Sequence, residues 1–409
     1  MKTGPGSVKS NESGIFSLRN PSRLRALIDW RLAIGALSFA VAQLAVWPAP
    51  TTTLWMLAIG VTEWGHVLAL FALLPLFPGW KRSPVGRIGA LLGLLAALLA
   101  LSPLSRAVIL SQHLPAELEG AFVLRVRSTT LAAPGTVPLS FSDLMPGVAS
   151  PIVRPDRLIY IERDNQPLSL DFYRPADSHS PAPCVLVIHG GSWQTGDSTE
   201  LAPLNSYLAA RGYAVASINY RLGAMHPFPA ARDDVSSAVA YLKAKASTLG
   251  IDATRLILLG RSAGGQLALL VAYTAHDPAI RGVVSFYGPS DLRYAYEHPA
   301  NPLVLDTRGV LTTYLGGDPK TVPAQYDAAS AIKFVDADTP PTLLIHGKRD
   351  ELVSPAQSEL LAAKLAAANR PHFLLLLPWA THGCDYNFSG PCGQISTYTI
   401  ERFLDAVTN

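Results

Sequence analysis

Apolar residues are spread unevenly along this 409-residue chain, and the changes of pattern divide it into four parts. Residues 1–31 are polar and basic, with Gly, Ser and Asn scattered among Lys2, Lys9, Arg19, Arg23, Arg25 and Arg31, and read as a disordered or surface-lying arm. Residues 32–110 hold three apolar stretches, at 32–47, 53–77 and 88–104, the last extending toward Leu110. A membrane crossing takes about 20 apolar residues. The second stretch has that length, the third reaches it when extended, and the first is short unless it borrows Leu27 and Ile28. Residues 111–155, rich in Pro, Ala, Ser and Thr, read as a linker, either a spacer or a segment folded back as a lid.

From residue 156 to 409 the period changes again. Short apolar or β-branched runs fall at 158–162, 168–173, 184–189, 214–220, 255–260, 282–287, 342–346 and 373–377, with helical patterns at 201–211, 229–249, 263–274, 355–369 and 394–408. Continuous apolar strands separated by helices predict a mainly parallel, eight-stranded sheet covered on both faces, an α/β domain.

Hydrophobic residues make up 49% of the chain and charged ones 15%, and the apolar excess lies in residues 32–110. This favours a multi-pass membrane anchor of three helices over a cleavable signal peptide, because two further apolar stretches follow the first and no small-residue cleavage site stands out. Lys81, Arg82 and Arg87 lie between the second and third stretches, whereas the connection 48–52 carries no charge. The positive-inside rule then places the basic arm and that loop in the cytoplasm and the α/β domain on the far side, and one span fewer reverses this. Glu63 and His66, one helical turn apart in the second stretch, are expected to satisfy each other. With a net charge of +3 and no basic stripe, nothing points to nucleic acid. The three cysteines lack the spacing of a zinc site, and no metal is expected.

Ser262 lies in Gly260-Arg261-Ser262-Ala263-Gly264, a G-x-S-x-G pattern between an expected strand and an expected helix. There a tight turn lifts the hydroxyl above the sheet edge at a helix N-terminus. A serine nucleophile needs a base, and the base needs a group to hold its tautomer. "LLIHGKRDELVSP" places Asp350 in the loop after the 342–346 strand, at shorter reach than Glu351, and "LLLLPWATHGCD" places His382 after the 373–377 strand. His346 and His372 sit within strands and read as structural histidines, and Asp385 follows His382, which breaks the acid-then-histidine order. "CVLVIHGGSW" supplies a glycine loop for the oxyanion, with His189 as a loop-fixing residue, and the second donor is the backbone of Ala263.

With these residues in place, the chain from about Leu158 onward resembles an α/β-hydrolase of the esterase/lipase kind, near the hormone-sensitive-lipase-like and the bacterial feruloyl or acetyl-xylan esterase-like branches. The stretches that carry the resemblance are "LDFYRP", "VIHGGSW", "SINYRL", "FPAARDDVSSAVAYL", "GRSAGGQLAL", "YLGGDP", "PPTLLIHGKRD" and "THG". It implies catalytic Ser262, Asp350 and His382, an oxyanion hole of Gly190, Gly191 and Ala263, and no metal or organic cofactor. Asp234 matches a structural helix position, and Ser192 stands where many relatives carry a third glycine. Trp193, Trp379 and Ser192 are candidates for the substrate pocket, and the short segment 291–326 for a small cap. In an oxidising compartment Cys384 and Cys392 can form a disulfide that pins the loop after His382, while Cys184 stays a free buried thiol. The expected function is a membrane-anchored serine carboxylesterase acting on a small-molecule ester. The alternatives are an acyltransferase or deacylase acting on envelope lipid or polysaccharide, and a non-catalytic module that keeps the fold.

Overall fold

The structure is a computed structural model describing Met1 and residues 30–122, 137–176 and 181–408. Most of the basic arm and part of the linker, residues 123–136, lie outside the described residues.

The apolar N-terminal region forms four helices, but not three equivalent spans. The first stretch yields only α1 (Trp30–Ala42), 13 residues long. The second breaks at Trp64 into α2 (Thr52–Glu63) and α3 (Gly65–Ala72), with the chain bent by 87° at the break. The third grows into α4 (Pro84–Ala121), 38 residues, started by a Ser83 hydroxyl that accepts the Gly86 N–H at 2.9 Å. Among the described residues α4 is the one unbroken helix long and apolar enough to cross a membrane, which corrects the expectation of three. A seam of small residues on α4, Gly89, Gly93, Ala96, Ala97 and Ala100, is buried against α1 and α3. Backbones there pass so closely that a Cβ on Gly35 or Gly65 would collide with the carbonyl of Gly89 or Ala100. Outward, Leu91, Leu94, Leu98, Leu70 and Phe71 are exposed.

The break coincides with a tertiary contact. Glu63, the last residue of α2, is wholly buried against the α/β domain instead of pairing with His66. The linker expectation also changes. Residues 111–121 are helical, and Leu114 and Leu118 are fully buried in one cluster with Leu375, Ile395 and Phe403 of the α/β domain.

All eight expected strands form: β1 (Asp156–Arg163), β2 (Gln166–Tyr173), β3 (Ala182–Ile188), β4 (Ala214–Ile218), β5 (Ile251–Arg261), β6 (Ile280–Phe286), β7 (Thr342–Gly347) and β8 (His372–Leu377). They make one sheet in the order β1-β2-β4-β3-β5-β6-β7-β8. The pairs β1/β2 and β2/β4 are antiparallel and the rest parallel. Strand alternation feeds two cores. Cys184, Leu186 and Ile188 of β3 face α6 (Ala230–Ala244) and α7 (Ala263–Thr274), whereas Val185 and Val187 share a cluster with the helix Ala202–Ala210, called α5. Between β6 and β7, α8 (Leu292–Glu297), α9 (Thr307–Leu315) and α10 (Pro323–Ala329) form the small cap. The helix α11 (Ala356–Ala367) follows β7, and α12 (Pro391–Thr408) ends the chain.

Candidate active site

Ser262 occupies the single residue between β5 and α7, with φ 51° and ψ −119°. An L-residue holds this backbone only when its surroundings over-determine it. Glycines make that possible: a Cβ on Gly260 would strike the Gly264 carbonyl, and one on Gly264 the carbonyls of Ile188 and His189. The Ser262 N–H donates to the Phe286 carbonyl at 2.9 Å, so β6 anchors the turn.

His382 lies in the loop after β8, and its Nδ1 donates to Asp350 Oδ2 at 2.7 Å. Asp350 Oδ1 accepts the N–H groups of Leu352 and Val353 at 2.9 and 2.8 Å, which fixes the carboxylate plane. Burial of Asp350 opposes ionisation, but the imidazoles of His382 and His346 outweigh it and hold this carboxyl well below the usual carboxylate range. His346 is fully buried, with Nδ1 2.7 Å from Ser358 Oγ and Nε2 3.0 Å from the Val353 carbonyl, as a structural histidine should be. Glu351 turns away and accepts the Ala49 N–H at 2.8 Å. The His382 ring packs 4.2 Å from that of Tyr287, the residue after the Phe286 that anchors Ser262, so the loops of Ser262 and His382 are both held at the end of β6. No hydrogen bond joins Ser262 to His382 among the described residues; such bonds are often long before substrate binds.

The oxyanion loop differs from expectation at one position. The Gly190 N–H is occupied, donating to Glu200 Oε2 at 2.8 Å, and so is not free to receive an oxyanion as expected. The N–H groups of Gly191 and Ala263 have no acceptor among the described residues. Gly191, Ser192 and Trp193 all have positive φ, at 95°, 55° and 58°, which turns this segment inward. The His189 ring stacks 4.2 Å from Tyr220, whose hydroxyl donates to the His189 carbonyl at 3.0 Å, in the loop-fixing role expected for it.

A cleft opens beside Ser262, lined by Ser192, Trp193, Ala263, Leu305, Val310 and Leu311 among others, so the cap supplies one wall. Trp193 is held by its indole N–H, which donates to Gln266 Oε1 at 3.0 Å, and by stacking on Tyr314 at 4.1 Å. Trp379 is not part of this cleft: it is wholly buried, and its indole donates to Glu63 Oε1 at 3.3 Å. Cys384 and Cys392 form a disulfide, and burial pushes the free Cys184 thiol up to about 12. Asp234 pairs with Arg221 at 2.9 Å, a structural role.

Several residues that support the site carry no signal in the sequence. Arg261, the variable position before the serine, makes a buried ion pair with Asp385, which also accepts the Tyr287 hydroxyl. Glu200 bridges Gly190 and the Tyr386 hydroxyl. Nothing in the motifs announces these partners, because each lies outside the short stretch that carries the chemistry.

Sheet order, serine turn and cap together define the α/β-hydrolase fold. Residues 170–365 match the family model BD-FAE. The chain is 31% identical over 254 residues to the probable carboxylic ester hydrolase LipM of Mycobacterium tuberculosis, covering 58% of each chain. It is also 31% identical over 258 residues to the esterase LipC of the same organism, covering 58% of this chain and 62% of that one. The chain therefore spans about six tenths of the length of these curated relatives. A hyperthermophilic esterase from the archaeon Pyrobaculum calidifontis superposes with a TM-score of 0.55 at 26% identity, covering 63% of this chain and 86% of that one.

Proposed function

We propose that the chain is a membrane-anchored serine carboxylesterase for small to medium acyl esters. Ser262 attacks the ester carbonyl while His382 accepts its proton, and Asp350 holds the imidazole and stabilises its charge. The N–H groups of Gly191 and Ala263 receive the oxyanion. His382 then returns the proton to the leaving alcohol, and water, activated by the same imidazole, releases the acyl group from Ser262. The observation that carries this reading is the 2.7 Å Asp350–His382 bond, in a fold that holds Ser262 at positive φ between β5 and α7. A fluorophosphonate probe should label Ser262, and p-nitrophenyl esters should turn over. Loss of a triad nucleophile lowers kcat on the order of 10⁶-fold, so Ser262→Ala should abolish both signals. A wild-type protein that neither labels nor turns over esters rejects the reading.

The anchor reading rests on α4. Its small-residue seam is the packing that membrane helices use, and its other face is apolar and exposed. Arg31 Nη2 donates to the Pro78 carbonyl at 3.2 Å, so Arg31, Lys81 and Arg82 gather at the α4 end opposite the catalytic domain. The positive-inside rule then favours an extracytoplasmic catalytic domain. Protease added to intact cells should digest that domain, and complete protection would reverse the orientation.

A further inference from the structure

Both loops that carry the His382–Asp350 pair are held from outside the catalytic sheet. On the acid loop, Arg349 Nη2 donates to the Trp47 carbonyl at 2.8 Å, and Glu351 accepts the Ala49 N–H. The base loop, residues 378–390, is held more extensively. Arg106 Nη1 donates to the Pro378 carbonyl at 3.2 Å, and the Trp55 indole N–H donates to the carbonyl of His382 itself at 3.2 Å. The Trp55 ring lies 6.4 Å from the His382 ring.

Glu63 makes the central brace. One carboxyl oxygen accepts the Trp379 indole N–H, three residues before His382, and the other accepts the Cys392 backbone N–H at 3.0 Å, beyond it. Cys392 is in turn bonded to Cys384, two residues after His382. One side chain therefore ties both ends of the loop to α2, and the disulfide passes that restraint to the residues next to the imidazole. Glu63 is wholly buried, so no solvent can replace it as acceptor for the two donors. A base displaced by about 1 Å can lose on the order of 10²-fold in rate, so a restraint of this kind acts directly on turnover.

We infer that Glu63 and Trp55 are positioning residues for His382, so that the esterase activity depends on how the N-terminal helices are seated on the catalytic domain. This rests on the serine esterase reading above.

The test uses this chain in detergent micelles, with Trp55→Phe, Glu63→Gln and Glu63→Ala, and with Gln43→Ala as a control whose side chain donates to the Phe39 carbonyl one turn back and makes no hydrogen bond to the loops of Asp350 and His382 among the described residues. Four quantities are measured: kcat and KM on a p-nitrophenyl acyl ester, the rate of fluorophosphonate labelling, and the melting temperature. Positioning predicts kcat falls of about 3- to 10-fold for Trp55→Phe and Glu63→Gln and about 30- to 100-fold for Glu63→Ala, with KM within about twofold. Labelling rates should fall in parallel, because phosphonylation also needs His382, and the control should match wild type. Partial rescue by Gln over Ala is part of the expectation, since its amide oxygen still accepts one N–H. Wild-type kcat per labelled site in all three variants overturns the inference, as does a loss explained wholly by the unfolded fraction. If wild type itself neither labels nor turns over, the esterase reading falls and the inference with it; active wild type with unaffected variants removes the inference alone.

Discussion

His346 Nε2 lies 3.2 Å from Asp350 Oδ2, so the carboxylate that orients His382 has a second imidazole behind it. Together the two imidazoles depress the Asp350 carboxyl despite its burial. A depressed carboxyl contributes stability that is fully present above its unfolded value of about 3.9 and is lost as pH falls toward the lower folded value. Asp350→Asn should lower kcat by roughly 10⁴-fold. Its stability deficit against wild type should be large at neutral pH and close as the pH is lowered through the carboxylate range. Thermal melts from neutral to strongly acidic pH check this, and a deficit independent of pH would contradict it.

Glu200 should matter to catalysis without touching substrate. Its carboxylate accepts the Gly190 N–H and the Tyr386 hydroxyl, bracing the oxyanion loop. Removal of a direct oxyanion donor costs about 10²- to 10³-fold in kcat, and an indirect brace should cost less, about tenfold. Steady-state kinetics of Glu200→Ala should show that fall in kcat with little change in KM.

Reduction of the Cys384–Cys392 bond opens a short loop of sequence separation 8. In the chain-entropy model a loop of this size is worth about 2.5 kcal/mol. Intact mass after alkylation under denaturing conditions should rise by two extra thiol adducts when reductant is added, and Cys384→Ser should lower the melting temperature.

Leu305 forms part of the cleft wall supplied by the cap. One or two methylenes of pocket space are worth about 1–3 kcal/mol in discrimination. Leu305→Ala should therefore move the acyl-length optimum to longer chains by about two carbons, read from kcat/KM across a p-nitrophenyl ester series. An unchanged optimum would place the acyl group elsewhere.

The catalytic domain was legible because its signals are local. Strands such as β3 announce themselves as unbroken apolar runs, and Ser262, Asp350 and His382 stand where β5, β7 and β8 end. Gly190 misled because its N–H is taken by a carboxylate ten residues on, and no turn motif reveals where a side chain reaches. Trp379 misled similarly, since a large aromatic near a site is as readily a buried strut as a pocket wall. The N-terminal helices were the least legible part. Hydropathy adds up composition along a stretch, but the bend at Trp64 falls where Glu63 meets partners 316 and 329 residues away.

At a rise of about 1.5 Å per residue, the 38 residues of α4 span roughly 57 Å, nearly twice a hydrocarbon core of about 30 Å. Its early turns carry the exposed apolar face and its late turns bury Leu114 and Leu118 under the sheet. On the anchored-esterase reading proposed above, α4 is both mast and mount, because the helix that would cross the lipid is itself packed against the sheet. The catalytic domain would then work at a set height above the lipid, and an ester would have to come to that height to be hydrolysed.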